Sequence, residues 1–306
     1  MDVTLNLGYV VVGILGLAMG SFAGATVWRL RGRQLVRDKK DGEHYDKAEY
    51  KRLLPLTKSK VAEDRSRCLH CHHVLRWYDL LPLVSWLSTK GRCRYCKQRI
   101  GKFEPLMEIG TAATFMLFYH YWLQHFGFDL LWLFAGWLVT LVLLVILFAY
   151  DLRWYLLPDV IMFPLIGLSA LIAFIQINLF NISAGDMLAP LVSLLGSVFI
   201  LGGLYFGLWL VSKGQWVGFG DVKLGVALGL LLMDWKLALL ALFLANFIGT
   251  LIVLPGLLTR KLGRQTQIPF GPLLIAGFFI TLVGGEVIMT GYMNASTWLS
   301  QTLLML

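Results

Sequence analysis

Two sets of residues in this chain have the types and spacing to do chemistry. The four cysteines stand as Cys68-x-x-Cys71 and Cys93-x-x-Cys96, with 21 residues between the pairs. Two such thiolate hooks suit tetrahedral Zn²⁺, each placing two sulfurs on one ion, although rubredoxin-like iron or a redox dithiol would use the same residues. His70, His72 and His73 crowd the first hook, but four sulfurs already complete a tetrahedron. The second set is carboxylate in apolar surroundings. Asp151 follows the apolar run 141–149, and Asp221 closes Gly218-Phe219-Gly220-Asp221. An ionisable side chain at membrane depth is costly and marks a functional site by default. Two carboxylates that meet share one proton, so one acts as base and the other as acid toward a water attacking an amide carbonyl. The glycines before Asp221 let backbone or a peptide approach closely. The same aspartates also suit proton- or cation-coupled transport, or the capping of the helices they open. Residue chemistry alone leaves protease and transporter both open.

The elements that must position these groups follow from composition. Of 306 residues 58% are apolar or aromatic and 15% charged, with mean hydropathy +0.70, against roughly 25% charged in a soluble domain. That excludes a purely soluble enzyme, a disordered or collagenous chain and a secreted disulfide scaffold. Stretches 3–28, 109–128, 130–150, 160–185, 187–212, 237–259 and 265–285 carry no charge, and each is long enough to cross a bilayer. A shorter stretch, 224–233, follows Asp221 and Lys223. The expectation is an all-α polytopic membrane protein of about eight transmembrane helices, the sixth short or broken. The apolar tail 287–306 is expected to end the eighth helix and continue along the interface.

The net charge of +9 is unevenly placed. Between residues 29 and 104 lie 20 of the 27 bases and nine of the 18 acids, a balance of +11, and the remainder carries −2. A small, basic, zinc-ribbon-like domain is therefore expected at 29–104, between a first helix at 1–28 and a membrane body at 105–306. If the N-terminus is outside, connections 29–104, 151–158, 213–223 and 260–264 face the cytoplasm and hold 26 of the 27 bases, leaving Lys236 outside, as the positive-inside rule requires. The first helix lacks a basic n-region and precedes Arg29, Arg31 and Arg33, which reads as a retained span rather than a signal peptide. Gly16, Gly20 and Gly24 at spacing four read as a helix-packing face. A basic ribbon with Trp77, Tyr78 and Trp86 has the composition of a nucleic-acid binder. The apolar run 80–87 and the tether to the bilayer favour anionic headgroups instead, and no nucleic-acid partner is expected. The charged insertion 33–61 reads as a solvated loop or an extra helix.

With these motifs in order along nearly the whole chain, the sequence resembles the type IV prepilin peptidases, bifunctional leader peptidases and N-methyltransferases of pilus and type II secretion systems in the bacterial inner membrane. Gly20-Ser21-Phe22 with Arg29-Leu30 resembles the first-helix signature. Arg65-Ser66-Arg67-Cys68, Arg76-Trp77-Tyr78-Asp79, Pro82-Leu83-Val84-Ser85-Trp86, Gly91-Arg92-Cys93-Arg94-Tyr95-Cys96 and Glu104-Pro105-Leu106-Met107-Glu108 resemble the cytoplasmic domain. Asp151 with Leu157-Pro158-Asp159, then Gly218 to Lys223, resemble the two catalytic regions, and Ile268-Pro269-Phe270-Gly271-Pro272 the last-helix motif. The sequence departs from the family pattern at Gly24, Arg31 and Leu69.

The resemblance implies a substrate prepilin or pseudopilin, cut after a glycine at the cytoplasmic border. Its new N-terminal residue, typically Phe, is then methylated with S-adenosylmethionine. It implies catalytic roles for Asp151 and Asp221 without a covalent intermediate, and supporting roles for Asp159, Gly218, Gly220, Lys223, Pro269 and Gly271. Gly91, Glu104 and Glu108 are candidates for the methyl-transfer site. Cys68, Cys71, Cys93 and Cys96 would hold structural Zn²⁺. The rivals are a presenilin-like GxGD protease lacking the cysteine module, a proton-coupled transporter using Asp151 and Asp221, and a tethered zinc module that only binds partners.

Overall fold

Apolar runs of this length satisfy their backbone groups in a bilayer only as helices or closed barrels, and the chain takes the first solution. The computed structural model describes residues 2–57, 65–127, 130–181, 188–259 and 268–304. These are helical apart from turns and two isolated bridges, and they divide into two compact units, Met1–Tyr150 and Asp151–Leu306.

In the first unit α1 (Asp2–Asp41) runs well past the expected end at residue 28. The insertion folds back on this extension. Asp46 caps α2 (Lys47–Leu53) by accepting from the Ala48 and Glu49 amides. Leu35, Leu53 and Leu56 close the contact and are buried, and Arg31 pairs with Glu49 at 2.8 Å. The insertion is thus helical in part, and 58–64 lie outside the described residues. A five-residue helix, α3 (Val84–Ser88), lies between the two cysteine pairs. α4 (Phe103–His125) starts six residues before the expected span, which puts Glu104 and Glu108 on its first two turns. It packs closely on α1: a Cβ on Gly16 would stand 2.6 Å from Ala112 Cα, and one on Gly20 2.6 Å from Glu108 Cα. Gly24 is looser, 3.8 Å from Met107. Phe115, Phe118 and Trp122 of α4 are fully enclosed, and Phe118 stacks on Phe134 of α5 (Leu131–Trp154) at 5.8 Å.

The second unit begins with the last turn of α5. It continues through α6 (Asp159–Asn181), α7 (Leu188–Val198), a π-helical turn (Phe199–Gly203), α8 (Leu204–Ser212), α9 (Phe219–Leu232), α10 (Trp235–Leu258) and α11 (Phe270–Leu304). Among the described residues six helices are long and apolar enough to cross a membrane: α1, α5, α6, the α7–α8 rod, α10 and α11. α4, with its two glutamates, and α9 are not among these six, where about eight spans were expected. α9 has 14 residues, about 21 Å of helix, against a hydrocarbon core of roughly 30 Å. It is the short sixth helix of the sequence reading. The apolar tail does not break from the eighth helix, because α11 continues as one helix to Leu304. Asp129, Asp186, Arg260, Lys261 and Arg264 fall outside the described residues.

Candidate active site and metal centre

Each cysteine pair forms the same small knuckle. In the first, the Cys68 amide donates to His73 O and the His72 amide to Cys68 O; in the second, Cys93 donates to Gln98 O and Lys97 to Cys93 O. His72 (φ 57°) and Lys97 (φ 58°) occupy the same left-handed position in the two turns, a conformation that costs an L side chain roughly 1–2 kcal/mol. The four Sγ atoms lie within 4.8 Å of one another, with Cys68 to Cys96 at 4.0 Å. Sulfurs at about 2.3 Å from a tetrahedral Zn²⁺ stand about 3.8 Å apart, so the donor set fits. Burial pushes the Cys68 thiol up to about 12, and a cation among the sulfurs would reverse that.

Asp79 ties the second knuckle to the turn 77–79. Its carboxylate accepts from Arg94 Nε (3.0 Å), Tyr95 Oη (2.9 Å) and the Arg76 amide (3.2 Å). Burial works to raise the Asp79 pKa, but the Arg76 amide, the Tyr95 hydroxyl and Arg94 hold it below the ordinary carboxylate value. A depressed carboxylate stabilises the fold above its unfolded pKa, about 3.9, and that contribution is lost as pH falls through the lower folded value. The thermal midpoint of this unit should therefore drop as acid protonates Asp79. Asp79→Asn should flatten that part of the profile while costing about 2 kcal/mol at neutral pH.

Against this module lies a cavity of about 210 Å³. Its wall includes Trp28, Arg67, Trp86, Tyr95, Glu104 and Glu108. Glu104 Oε1 accepts from Trp28 Nε1 at 3.2 Å, whereas its Oε2 is buried without a hydrogen-bond partner, as is Arg67 Nε. Glu108 is buried too, and its Oε2 accepts the Leu83 amide at 2.8 Å. Leu83 itself has φ 56°, so Glu108 holds a strained turn at the start of α3. Gly91 (φ 67°) is in the wall's second layer: a Cβ there would meet Trp86 Cζ2 at 3.0 Å, and Trp86 Nε1 in turn donates to Gly101 O. Of the three residues expected at the methyl-transfer site, Glu104 and Glu108 line the cavity and Gly91 seats one of its aromatic walls.

In the second unit the two aspartates come from remote positions. Asp151 is 5% exposed, and its Oδ2 accepts the Gly271 amide at 3.0 Å. Asp221 lies in the first turn of α9, whose N-cap is Gly218, and is near enough to Asp151 for the charges to interact. Leu157 links the motifs. A Cβ on Gly220 would stand 3.0 Å from Leu157 Cβ, and one on Gly271 would stand 3.4 Å from Leu157 Cδ2 and 2.8 Å from Asp151 Oδ2. Both glycines are therefore needed for space. Pro269 stands just before α11, whose first turn carries Gly271. Asp159, at the start of α6, pairs with Lys223 Nζ at 2.6 Å, and that ammonium lies over the rings of Phe163 and Phe219. The pair joins α6 to α9 beside the carboxylates rather than among them. Leu157 as the common wedge was not picked out from the sequence, since a leucine before a proline carries no chemical signal.

Residues 14–122 match the model of the bacterial peptidase A24 N-terminal domain, and residues 138–254 that of the type IV leader peptidase family. A prepilin leader peptidase/N-methyltransferase of Pseudomonas aeruginosa is 33% identical over 290 residues, 92% of each chain. One of Stutzerimonas stutzeri is 30% identical over 285 residues, again 92% of each. A type 4 prepilin-like proteins leader peptide-processing enzyme of Escherichia coli is 29% identical over 283 residues, 89% of this chain and 93% of the relative. No solved structure gives a significant match.

Proposed function

Because this chain belongs to the type IV leader peptidase family, we propose that it removes the leader peptides of prepilins or pseudopilins and then N-methylates the exposed residue. The observation that carries the first half is the convergence of Asp151, Leu157, Gly220, Asp221 and Gly271 from four separate helices and connections. A water between the carboxylates loses a proton to the ionised member as its oxygen attacks the scissile carbonyl. The protonated member then delivers its proton to the leaving amine, so the pair is restored without a covalent intermediate. The Gly271 amide fixes the Asp151 rotamer, and the absence of side chains at Gly220 and Gly271 lets Leu157 and the Asp151 carboxylate pack directly against the two backbones. Neither a proton-coupled transporter nor a GxGD protease of the presenilin type has a use for the cysteine module.

For the second half, Zn²⁺ on Cys68, Cys71, Cys93 and Cys96 would hold the module's two knuckles, and S-adenosylmethionine would supply the methyl group. The cavity suits that cofactor's chemistry. Unpartnered Arg67 Nε and Glu104 Oε2 are complementary to a carboxylate and an ammonium, and Trp28, Trp86 and Tyr95 offer faces to a ring or a sulfonium. Glu104 would also accept a hydrogen bond from the substrate's new α-amine. We assign this activity to residues 29–104 with the start of α4, leaving hydrolysis to 105–306.

By charge asymmetry the cysteine module would face the cytoplasm of a bacterial inner membrane, with the N-terminus outside. The exposed side chains of Trp77, Leu80, Val84 and Leu87 would meet lipid, while the basic excess meets anionic headgroups.

The experiment is to incubate the purified protein with a full-length prepilin and the cofactor and weigh the product. Loss of the leader with gain of one methyl supports both halves; a shortened, unmethylated product removes the second. Gly91→Ala should separate them. The added methyl meets Trp86 at a φ that L residues rarely adopt, so methyl transfer should fall about tenfold or more while cleavage stays within about twofold.

A further inference from the structure

A π-helical turn inserts one residue into a helix and swings everything after it by about 100°. The turn Phe199–Gly203 sits against α9, where Gly202 and Gly225 leave space for close approach. The second residue after it is Tyr205. This tyrosine is 3% exposed, and its ring lies 5.2 Å from that of Phe270, the residue preceding the amide that holds Asp151. Its hydroxyl is buried and makes no hydrogen bond of good geometry; the Asn246 side chain is its polar neighbour, and the Asp221 charge is within electrostatic range. Asn246 already donates to Leu242 O at 2.8 Å, and Lys223 is engaged with Asp159. An orphaned buried hydroxyl is expensive, and phenylalanine would fill the same space without that cost. The turn therefore places beside the residues that carry the carboxylate pair a donor that the resting fold leaves unsatisfied.

We propose that Tyr205 is a positioning residue for the carboxylate pair, its hydroxyl donating a hydrogen bond to Asp221 in the substrate-bound site. This rests on the reading that Asp151 and Asp221 carry out the hydrolysis. The π turn sets the register that makes the contact available.

The test measures leader cleavage by the full chain in lipid nanodiscs, with a full-length prepilin and with thermal unfolding followed in parallel. Tyr205→Phe should lower kcat about 10- to 100-fold with KM within about twofold, the range expected for one hydrogen bond to a charged group. Its thermal midpoint should be unchanged or raised, because an unsatisfied group has been removed. Tyr205→Leu, which also loses the ring contact with Phe270, should lose stability as well. Wild-type kcat in Tyr205→Phe overturns the proposal. So does a fall in its thermal midpoint equal to that of Tyr205→Leu, since the hydroxyl would then serve the fold. Asp221→Asn in the same assay separates the two layers: if it still cleaves, the carboxylate reading fails, and if it is inactive beside a fully active Tyr205→Phe, only the role of Tyr205 fails.

Discussion

Asp151→Asn and Asp221→Asn should each leave prepilin uncut, with cleavage reduced by about 10³-fold or more. Asparagine keeps the size of the side chain and can still accept the Gly271 amide through its Oδ1, so the geometry around residue 151 survives. It can neither take a proton from water nor return one to the leaving amine, and general acid–base catalysis is worth about 10²–10⁴-fold for each group. Because the pair acts as a unit, one substitution should cost nearly as much as both. Stability should change little or rise, since neither carboxylate has an ion-pair partner within 4 Å among the described residues. Asp159→Asn is the contrasting case. Its partner Lys223 is lost, but an ion pair with Asp159 56% exposed is worth about 1 kcal/mol at most, so cleavage should fall only a few-fold. Steady-state cleavage of a purified prepilin by the three variants checks the ranking.

On the proposal that the four sulfurs hold Zn²⁺, removing the metal should collapse methyl transfer. The segment 65–102 has almost no apolar core: Cys68 and Cys93 are its buried apolar residues, while Trp77, Val84 and Leu87 are exposed. In the proposed zinc-bound form, the ion joining the four sulfurs would hold the two knuckles with left-handed His72 and Lys97 at their strained positions. Structural Zn²⁺ contributes about 10–16 kcal/mol of apparent binding free energy in small domains of this kind, far more than the hydrogen bonds of Asp79 can replace. Cys93→Ser, or treatment with a strong chelator, should therefore unfold the knuckles, open the cavity wall formed by Tyr95 and Arg67, and lower methyl transfer at least about 100-fold. All groups at the carboxylate pair belong to residues 151–271, so cleavage should persist. Metal content by mass spectrometry and the two activities measured on one preparation check this. Loss of both activities in step would contradict the division of labour.

The helices were legible because bilayer spans announce themselves by length and lack of charge, and even the short α9 was evident from the acid and base at its start. Boundaries were less so. α1 runs on to Asp41, and Leu35 and Leu53 are both buried where α2 packs on this extension, although both residues look solvated in a charged stretch. α11 reaches Leu304 because nothing in 287–304 breaks a helix. The chemistry-bearing residues were easy to find where they were rare, as with four cysteines and a few acids in apolar sequence. Glu108 illustrates the opposite case. The family resemblance makes it a candidate for methyl transfer, whereas its bond to the Leu83 amide depends on a tertiary contact that no local pattern encodes. Tyr205 was invisible for a similar reason, because a π turn leaves no signature in residue spacing and a tyrosine in a span reads as ordinary packing.

The most direct measurement is the intact mass of a pilin co-expressed with the wild-type chain or with Asp221→Asn. The wild type should yield a product lacking its leader and carrying one added methyl group. Asp221→Asn should yield only full-length, unmethylated prepilin, from a protein that still inserts and keeps the metal content of the wild type. A processed pilin made by Asp221→Asn would contradict the assignment of hydrolysis to the Asp151–Asp221 pair.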